Sequence, residues 1–387
     1  MNKKSNYKKP YGQTLDRIML YLLVFVIMGL SDAVIPVLPA LANNGPLPDG
    51  GSSSLIFSSF FIGALLTMIL FGVLADAYGH RLFVIFGVLL TLISGFMIIV
   101  SNDFWMIVIA RFIEGAGCGA FFPSAFALLA GMDKREQYIG EFNFIINLGL
   151  AVGLKVTGML ANTGIKNGVM LFEGLMVPIF MISIMVLINN GPGETVLKKS
   201  EVFSTIAKSK KAIIHPQYYQ IWLLSFVLFG SSGVLIALYP DFVSGVMTTD
   251  ALGTYLASIY AGAMVTSLVA GRMQIPKDTL VKASMVFTGI GALCAVFHPI
   301  GLTLMGAGSG LGMVGLVTGV SYLNINKGLA MGIFNTCTYA GLALVPILGG
   351  LLIPIIGYSS VFIINGILLI IMVLLPMSAL SQANSIK

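Results

Sequence analysis

Long apolar runs separated by short polar breaks occupy almost the whole chain. They fall at 18–42, 54–76, 82–101, 103–131, 138–161, 167–190, 218–241, 251–272, 279–297, 299–322, 328–351 and 355–378. A helix needs roughly 20 apolar residues to cross about 30 Å of hydrocarbon, so the pattern predicts twelve transmembrane helices, segments 1 to 12. Two of the breaks are brief: Ser101-Asn102-Asp103 between segments 3 and 4, and His298-Pro299 between segments 9 and 10. The first run is long and no small-residue cleavage site ends it, so it is expected to remain as a helix.

Composition agrees. Of 387 residues, 57% are apolar and 9% charged, with a mean hydropathy of +0.97, where soluble domains carry about 25% charged residues. A soluble globular fold is excluded, and the spans leave no room for a sizeable soluble domain. Cys118, Cys294 and Cys337 lie in apolar runs and are expected to be buried as small hydrophobes, without a disulfide or a metal site.

The net charge of +6 changes the picture only through its placement. With the N-terminus in the cytoplasm, Arg17, Arg81, Lys134, Arg135, the lysines of 198–211, Arg272, Lys277, Lys282 and Lys327 fall on that side, and Lys166 alone falls in an outer loop. The positive-inside rule therefore puts both termini in the cytoplasm. The basic surplus reports topology, and no nucleic-acid partner is expected. Residues 191–217, which begin Gly-Pro-Gly after Asn190 and carry several lysines, read as a polar cytoplasmic linker between two six-helix bundles, 1–190 and 218–387.

The two bundles repeat one another. Phe25, Gly29, Ser31 and Pro39 of segment 1 match Phe226, Gly230, Ser232 and Pro240 of segment 7; Gly63, Ala64, Thr67 and Gly72 match Gly262, Ala263, Thr266 and Gly271; Gly115-Ala116-Gly117 matches Gly306-Ala307-Gly308. Segment 5 gives the clearest match, with Gly140, Phe142, Asn143, Gly149 and Gly158 against Gly332, Phe334, Asn335, Gly341 and Gly350. Two such halves can rock about a central site near the bilayer midplane.

Charge is not repeated. Asp32, Arg111, Glu114 and Lys155 align with Gly233, Leu302, Met305 and Ile347, so the ionisable chemistry belongs to the first half. Counting from the outer helix ends at 1.5 Å per residue, Asp32 lies about 15 Å deep, Arg111 about 12 Å, Glu114 about 16 Å and Lys155 about 9 Å. Charges at such depth cost about 2.5 to 3.5 kcal/mol on insertion scales and invite a functional reading. Arg111 and Glu114, spaced i,i+3, can pair on one helix face, with Asp32 or Lys155 completing a network. Asp32 or Glu114 is a candidate proton carrier; alternatively Arg111 and Glu114 neutralise each other and hold segment 4 in register. Lys155 has three readings: an anion-binding group, a structural partner for a carboxylate, or a side chain snorkelling outward. Glu173, six residues into segment 6, is expected to be solvated near the outer face.

The stretch Gly72-Val-Leu-Ala-Asp76-Ala-Tyr-Gly79-His80-Arg81 resembles the signature of the major facilitator superfamily, G-x-L-a-D-x-x-G-[RK]-[RK]. The resemblance implies that this loop latches the two halves on the cytoplasmic side. Gly72 is then read as permitting close helix approach, Gly79 as making the turn, Asp76 as capping a helix N-terminus and Arg81 as pairing with it. Arg111-Phe-Ile-Glu114-Gly115-Ala-Gly117 is similar to the family's R-x-x-x-G-x-G motif, whose Arg the resemblance associates with proton coupling. Segment 5 fits the exporter pattern G-x-x-x-G-P-x-x-G-G at Gly149, Gly153 and Gly158, with Leu154 and Thr157 departing from it.

The resemblance implies an all-α membrane protein of twelve helices in two pseudo-symmetric bundles, working as a secondary transporter by alternating access. Proton-coupled export of small amphiphilic organic compounds is the leading expectation, resembling drug/proton antiporters, with proton coupling through Asp32, Arg111 and Glu114. The substrate cavity is expected near Asp32, Asn143, Asn147, Lys155, Asn335 and Tyr339. The alternative is a carrier for an anionic metabolite held by Arg111 and Lys155. No P-loop, HExxH or Cys/His cluster occurs, so no enzymatic activity, cofactor or metal is expected. The expected partners are a small-molecule substrate, protons and the lipid bilayer of the cell membrane, with the chain acting as a monomer.

Overall fold

The computed structural model describes residues 10–48, 50–189, 218–273, 275–323 and 327–375, and all the regular structure described there is helical. The expected linker, 191–217, lies outside the described residues. Helix α1 (Pro10–Ala33) begins before the first apolar run and stops before its end. Pro36 and Pro39 lack the amide hydrogens a continuous helix needs, and the chain passes through a 3-10 turn, Ile35–Val37, and one helical turn, Leu38–Leu41. Then follow α2 (Gly51–Tyr78), α3 (His80–Val100), α4 (Phe104–Ala130), α5 (Arg135–Leu160) and α6 (Asn167–Asn189). The second half holds α7 (Tyr219–Phe242), α8 (Thr249–Arg272), α9 (Lys277–Ala295) and α10 (Ile300–Ser321).

The last helical stretch, Lys327–Met372, has 46 residues and is broken at Gly357, whose φ of 77° and ψ of 162° are non-helical. At 1.5 Å per residue it is about 69 Å long, twice a membrane core. Residues 327–356 and 358–372 are therefore two helices, α11 and α12, and the described spans number twelve. Both brief breaks exist. Asp103 caps α4 by accepting from the Met106 amide at 2.8 Å, and His298 Nδ1 accepts from the Ile300 amide at 3.1 Å.

Packing repeats as the sequence does. In the first half α1 packs on α5 and α6, α2 on α4, and α3 on α4 and α6; in the second, α7 packs on α11, α8 on α10, and α9 on α10 and α12. The register agrees residue by residue. A Cβ on Gly115 would collide with the Phe60 carbonyl oxygen, and one on its counterpart Gly306 with that of Ile259; Gly149 and Gly341 approach the carbonyls of Phe25 and Phe226 in the same way. Small residues let the helix backbones meet where lipid offers no hydrophobic drive between helices. Large apolar side chains such as Leu66, Phe96, Trp105, Met185 and Val265 stay exposed on the outer walls, as a bilayer solvent permits.

The halves meet through α5 against α8 and α2 against α11, a pair of contacts related by the same repeat. Gly158 touches Thr249 and Gly253, and Gly350 touches Gly51 and Ser54, all at the membrane face away from the termini. Towards the face bearing the termini, a Cβ on Gly140, Gly271 or Gly332 meets nothing within 4 Å. The halves thus touch at the far face, while at the terminus face these three glycine positions are open.

Candidate functional site

The deepest charges gather where α1 breaks. Arg111 (1% exposed) donates from Nη1 to Glu114 Oε2 at 2.6 Å and to the Ser31 carbonyl at 3.1 Å. That carbonyl lies at the end of α1, where the proline-broken turn leaves backbone acceptors without helical partners. The guanidinium also lies 4.8 Å from the Phe60 ring centroid, a cation–π contact that burial strengthens. Glu114 is fully buried; its other oxygen, Oε1, makes no close hydrogen bond, and the Ser94 hydroxyl of α3 faces the carboxyl.

Asp32 is 5% exposed; it faces Arg111 and Glu114, and the hydroxyl of Tyr260 on α8 faces it. Its Oδ2 is shut away and unpaired. The structure thus brings together three of the sequence-predicted residues, Asp32, Arg111 and Glu114, and adds Tyr260 from the opposite half. The counterparts of Arg111 and Glu114, Leu302 and Met305, are fully buried apolar packing.

Lys155 does not join them. Its Nζ bonds Asp250 Oδ1 at 2.5 Å and Thr254 Oγ1 at 2.8 Å, both on α8, so in this structure it partners a carboxylate. An apolar pocket of about 420 Å³ lies beside this link, lined by Ala151, Val152, Val156, Ala257 and Ala261 among others. Asn143 and Asn147 donate to carbonyls of their own helix, at 3.0 and 2.9 Å. Tyr339 on α11 packs its ring 5.8 Å from that of Phe61, which touches Phe60 at 5.0 Å. A chain of rings therefore runs from the second half to Arg111. Asn335 is partly exposed one turn before Tyr339, towards the terminus face.

Glu173 corrects an expectation. It is 9% exposed rather than solvated, its Oε2 has no hydrogen-bond partner, and it faces Glu114. Depth counted along its own helix could not reveal that neighbouring helices, α3 at Gly95 among them, cover it.

The signature loop also differs in detail. Gly79 takes φ 109°, the conformation for which glycine is suited. Arg81 does not pair with Asp76; it binds Asp16 Oδ2 at 2.5 Å and the Leu187 carbonyl at 3.3 Å, tying α3 to α1 and α6. Asp76 instead lies 3.3 Å from His80 Nε2. A Cβ on Gly72 would meet Pro123 at 3.5 Å, an ordinary contact, so no close approach requires this glycine here. Sequence reasoning misses Asp16 because nothing local marks it.

The Major Facilitator Superfamily profile matches residues 20–321 and 221–384. The chain belongs to that superfamily. The quinolone resistance protein NorA of Staphylococcus aureus is 30% identical over 146 residues, covering 37% of each chain, and a putative inorganic phosphate cotransporter of Drosophila melanogaster is 27% identical over 146 residues, 35% of this chain and 28% of that one. The chain thus spans about a third of the length of these curated relatives. Among solved structures, a POT family transporter in complex with 5-aminolevulinic acid superimposes with a TM-score of 0.77 at 12% identity, covering 97% of both chains. A point mutant of the nucleoside transporter NupG gives 0.75 at 14%, covering 92% of this chain and 98% of that one. At such identities the likeness concerns the fold. As a superfamily member with this fold, the chain is a multi-pass membrane protein.

Proposed function

We propose that the chain is a secondary active transporter of the cell membrane, that it works by alternating access, and that it exports small amphiphilic organic compounds in exchange for protons. The observation that carries this reading is the position of Asp32: a buried carboxylate beside the Arg111–Glu114 pair, contacted by Tyr260 across the boundary between the halves. A proton taken up by this carboxylate changes how it can interact with the facing Tyr260 hydroxyl and so biases the contact between halves. That differential interaction is what an equilibrium between two conformations requires. With both termini in the cytoplasm, as the distribution of Lys and Arg favours, the face at which the halves touch is the outer one and the state is inward-facing. The similarity to NorA, named for quinolone resistance, supports export of organic compounds.

The test is flux in proteoliposomes under an imposed pH gradient, with ethidium as the cationic probe and benzoate as the anionic one. Gradient-driven ethidium flux that is lost in Asp32→Asn supports the proposal; flux indifferent to both the gradient and Asp32→Asn defeats it. The anion-carrier reading draws on the Drosophila phosphate cotransporter similarity. It is disfavoured because Arg111 and Lys155 are both committed to carboxylates. Benzoate flux that disappears in Lys155→Ala, with ethidium flux absent throughout, would promote it.

A further inference from the structure

Glu173 is a buried carboxyl that the proposed coupling site does not use. It sits on α6 against α3, where a Cβ on Gly95 would collide with its Oε2. Around it, α3 offers the buried hydroxyl of Ser94, which is turned to Glu114, and α4 offers Glu114 itself with Arg111 bonded behind it. On the remaining neighbours, α1 presents Gly29 and Phe25 to the adjacent Phe172, and α5 presents Thr157 to Gly168. Asp32 faces Arg111 and Glu114 rather than Glu173. Among the described residues, then, the titratable group facing Glu173 is another acid.

The charge count is unbalanced. Asp32, Glu114 and Glu173 are three carboxyls at 5%, 0% and 9% exposure, and among the described residues the guanidinium between them is that of Arg111, at 1%. Each keeps one oxygen closed off without a close hydrogen bond: Asp32 Oδ2, Glu114 Oε1 and Glu173 Oε2. Neighbouring carboxylates in a medium of low dielectric cannot both stay ionised. Arg111 neutralises one of the three, and protons must neutralise the others.

We infer that Glu173 is a second proton-binding site, protonated in this conformation, and that it passes protons between the far-face aqueous phase and the Glu114–Arg111–Asp32 cluster. Its depth suits the part: it lies about 9 Å along α6 from the far end, about 6 Å nearer that face than Glu114 does along α4. The transfer balances as a relay. Once Asp32 has released its proton towards the terminus face, the Glu173 proton moves to Glu114 and on to the ionised Asp32, Glu114 returns to its ion pair with Arg111, and a proton from the far-side phase restores Glu173. The inference rests on the proton-coupled reading for its direction, but the protonation of Glu173 can be tested without it.

The experiment is infrared spectroscopy of the full chain in lipid at neutral pH, comparing wild type with Glu173→Gln. Glutamine reproduces the size of a neutral glutamic acid, so this variant should fold. The expected result is loss of one carboxylic-acid carbonyl band; a band pattern identical to wild type overturns the inference. Ethidium counterflow without a pH gradient, run in the same vesicles, separates the remaining outcomes. Glu173→Gln should retain counterflow while gradient-driven flux loses one titration step in its pH profile, and an unchanged profile overturns the relay role. Absence of counterflow in wild type would count against the transport proposal, while the infrared result would still decide the protonation of Glu173.

Discussion

The hydroxyl of Tyr260 on α8 faces the carboxyl of Asp32 on α1, across the boundary between the charged half of the protein and the half that carries no deep charge. Hydrogen bonds to ionised groups contribute about 1.5–3 kcal/mol, enough to shift a two-state equilibrium. Tyr260→Phe should therefore lower gradient-driven flux. If both residues act through this one contact, the double variant with Asp32→Asn should be no worse than Asp32→Asn alone. Initial rates for the four proteins in proteoliposomes check this, and losses that add would show the two residues acting independently.

Lys155 and Asp250 link α5 to α8 near the far face. The pair is 37% and 47% exposed in its side chains, and such surface pairs are worth about 0–1 kcal/mol, so Lys155→Ala should leave thermal stability unchanged. What it should alter is the balance between conformations, since this pair spans α5 and α8. Spin-label distances between the far ends of the halves should broaden towards a more open population. The exchange Lys155→Asp with Asp250→Lys should narrow them again. A distribution unmoved by Lys155→Ala would remove the pair from the gate.

Much of the fold is legible in the sequence because bilayer thickness and repetition leave few choices. Hydrophobic runs mark the spans, and the Gly115/Gly306 and Gly149/Gly341 matches correspond to backbone contacts that the structure contains. The pattern ends segment 11 a few residues early, because 352–356 are as apolar as the helix they continue. Only the positive φ of Gly357 marks the true break. At the site, Arg111 with Glu114 is legible from i,i+3 spacing, which is local. Tyr260 on Asp32, Asp16 on Arg81 and Asp250 on Lys155 are not, because each pairing joins helices distant in sequence and a depth estimate carries no azimuth. The burial of Glu173 escapes for the same reason.

Arg111 should prove harder to replace than any exposed charge. Arg111→Ala leaves Glu114 buried without its cation, and breaking a buried ion pair from one side costs about 3–5 kcal/mol. A large fall in the melting temperature of the detergent-solubilised protein is expected. Arg111→Met combined with Glu114→Leu should recover much of it, since the apolar counterparts Leu302 and Met305 pack fully at the equivalent place in the second half. The doubly substituted protein should still fail in gradient-driven flux. Recovery of both stability and flux would reduce the pair to a packing device.

The glycines of the repeat and the glycine of the signature loop should separate packing from conformational change. A Cβ at Gly115 or Gly306 runs into a backbone carbonyl of the facing helix, so α2 and α4, or α8 and α10, must part. Overpacking of this kind costs about 1–3 kcal/mol, and both alanine variants should melt early by similar amounts. Gly72→Ala meets Pro123 only at 3.5 Å, and alanine favours a helix over glycine by about 1 kcal/mol. It should melt as wild type does or slightly later. Flux then tells why a glycine stands there: if stable Gly72→Ala protein transports poorly, the close approach that excludes a side chain belongs to the opposite conformation, in which the terminus face closes and the far face opens. If it transports normally, Gly72 is dispensable and the turn at Gly79 (φ 109°) carries the conformational demand of that loop.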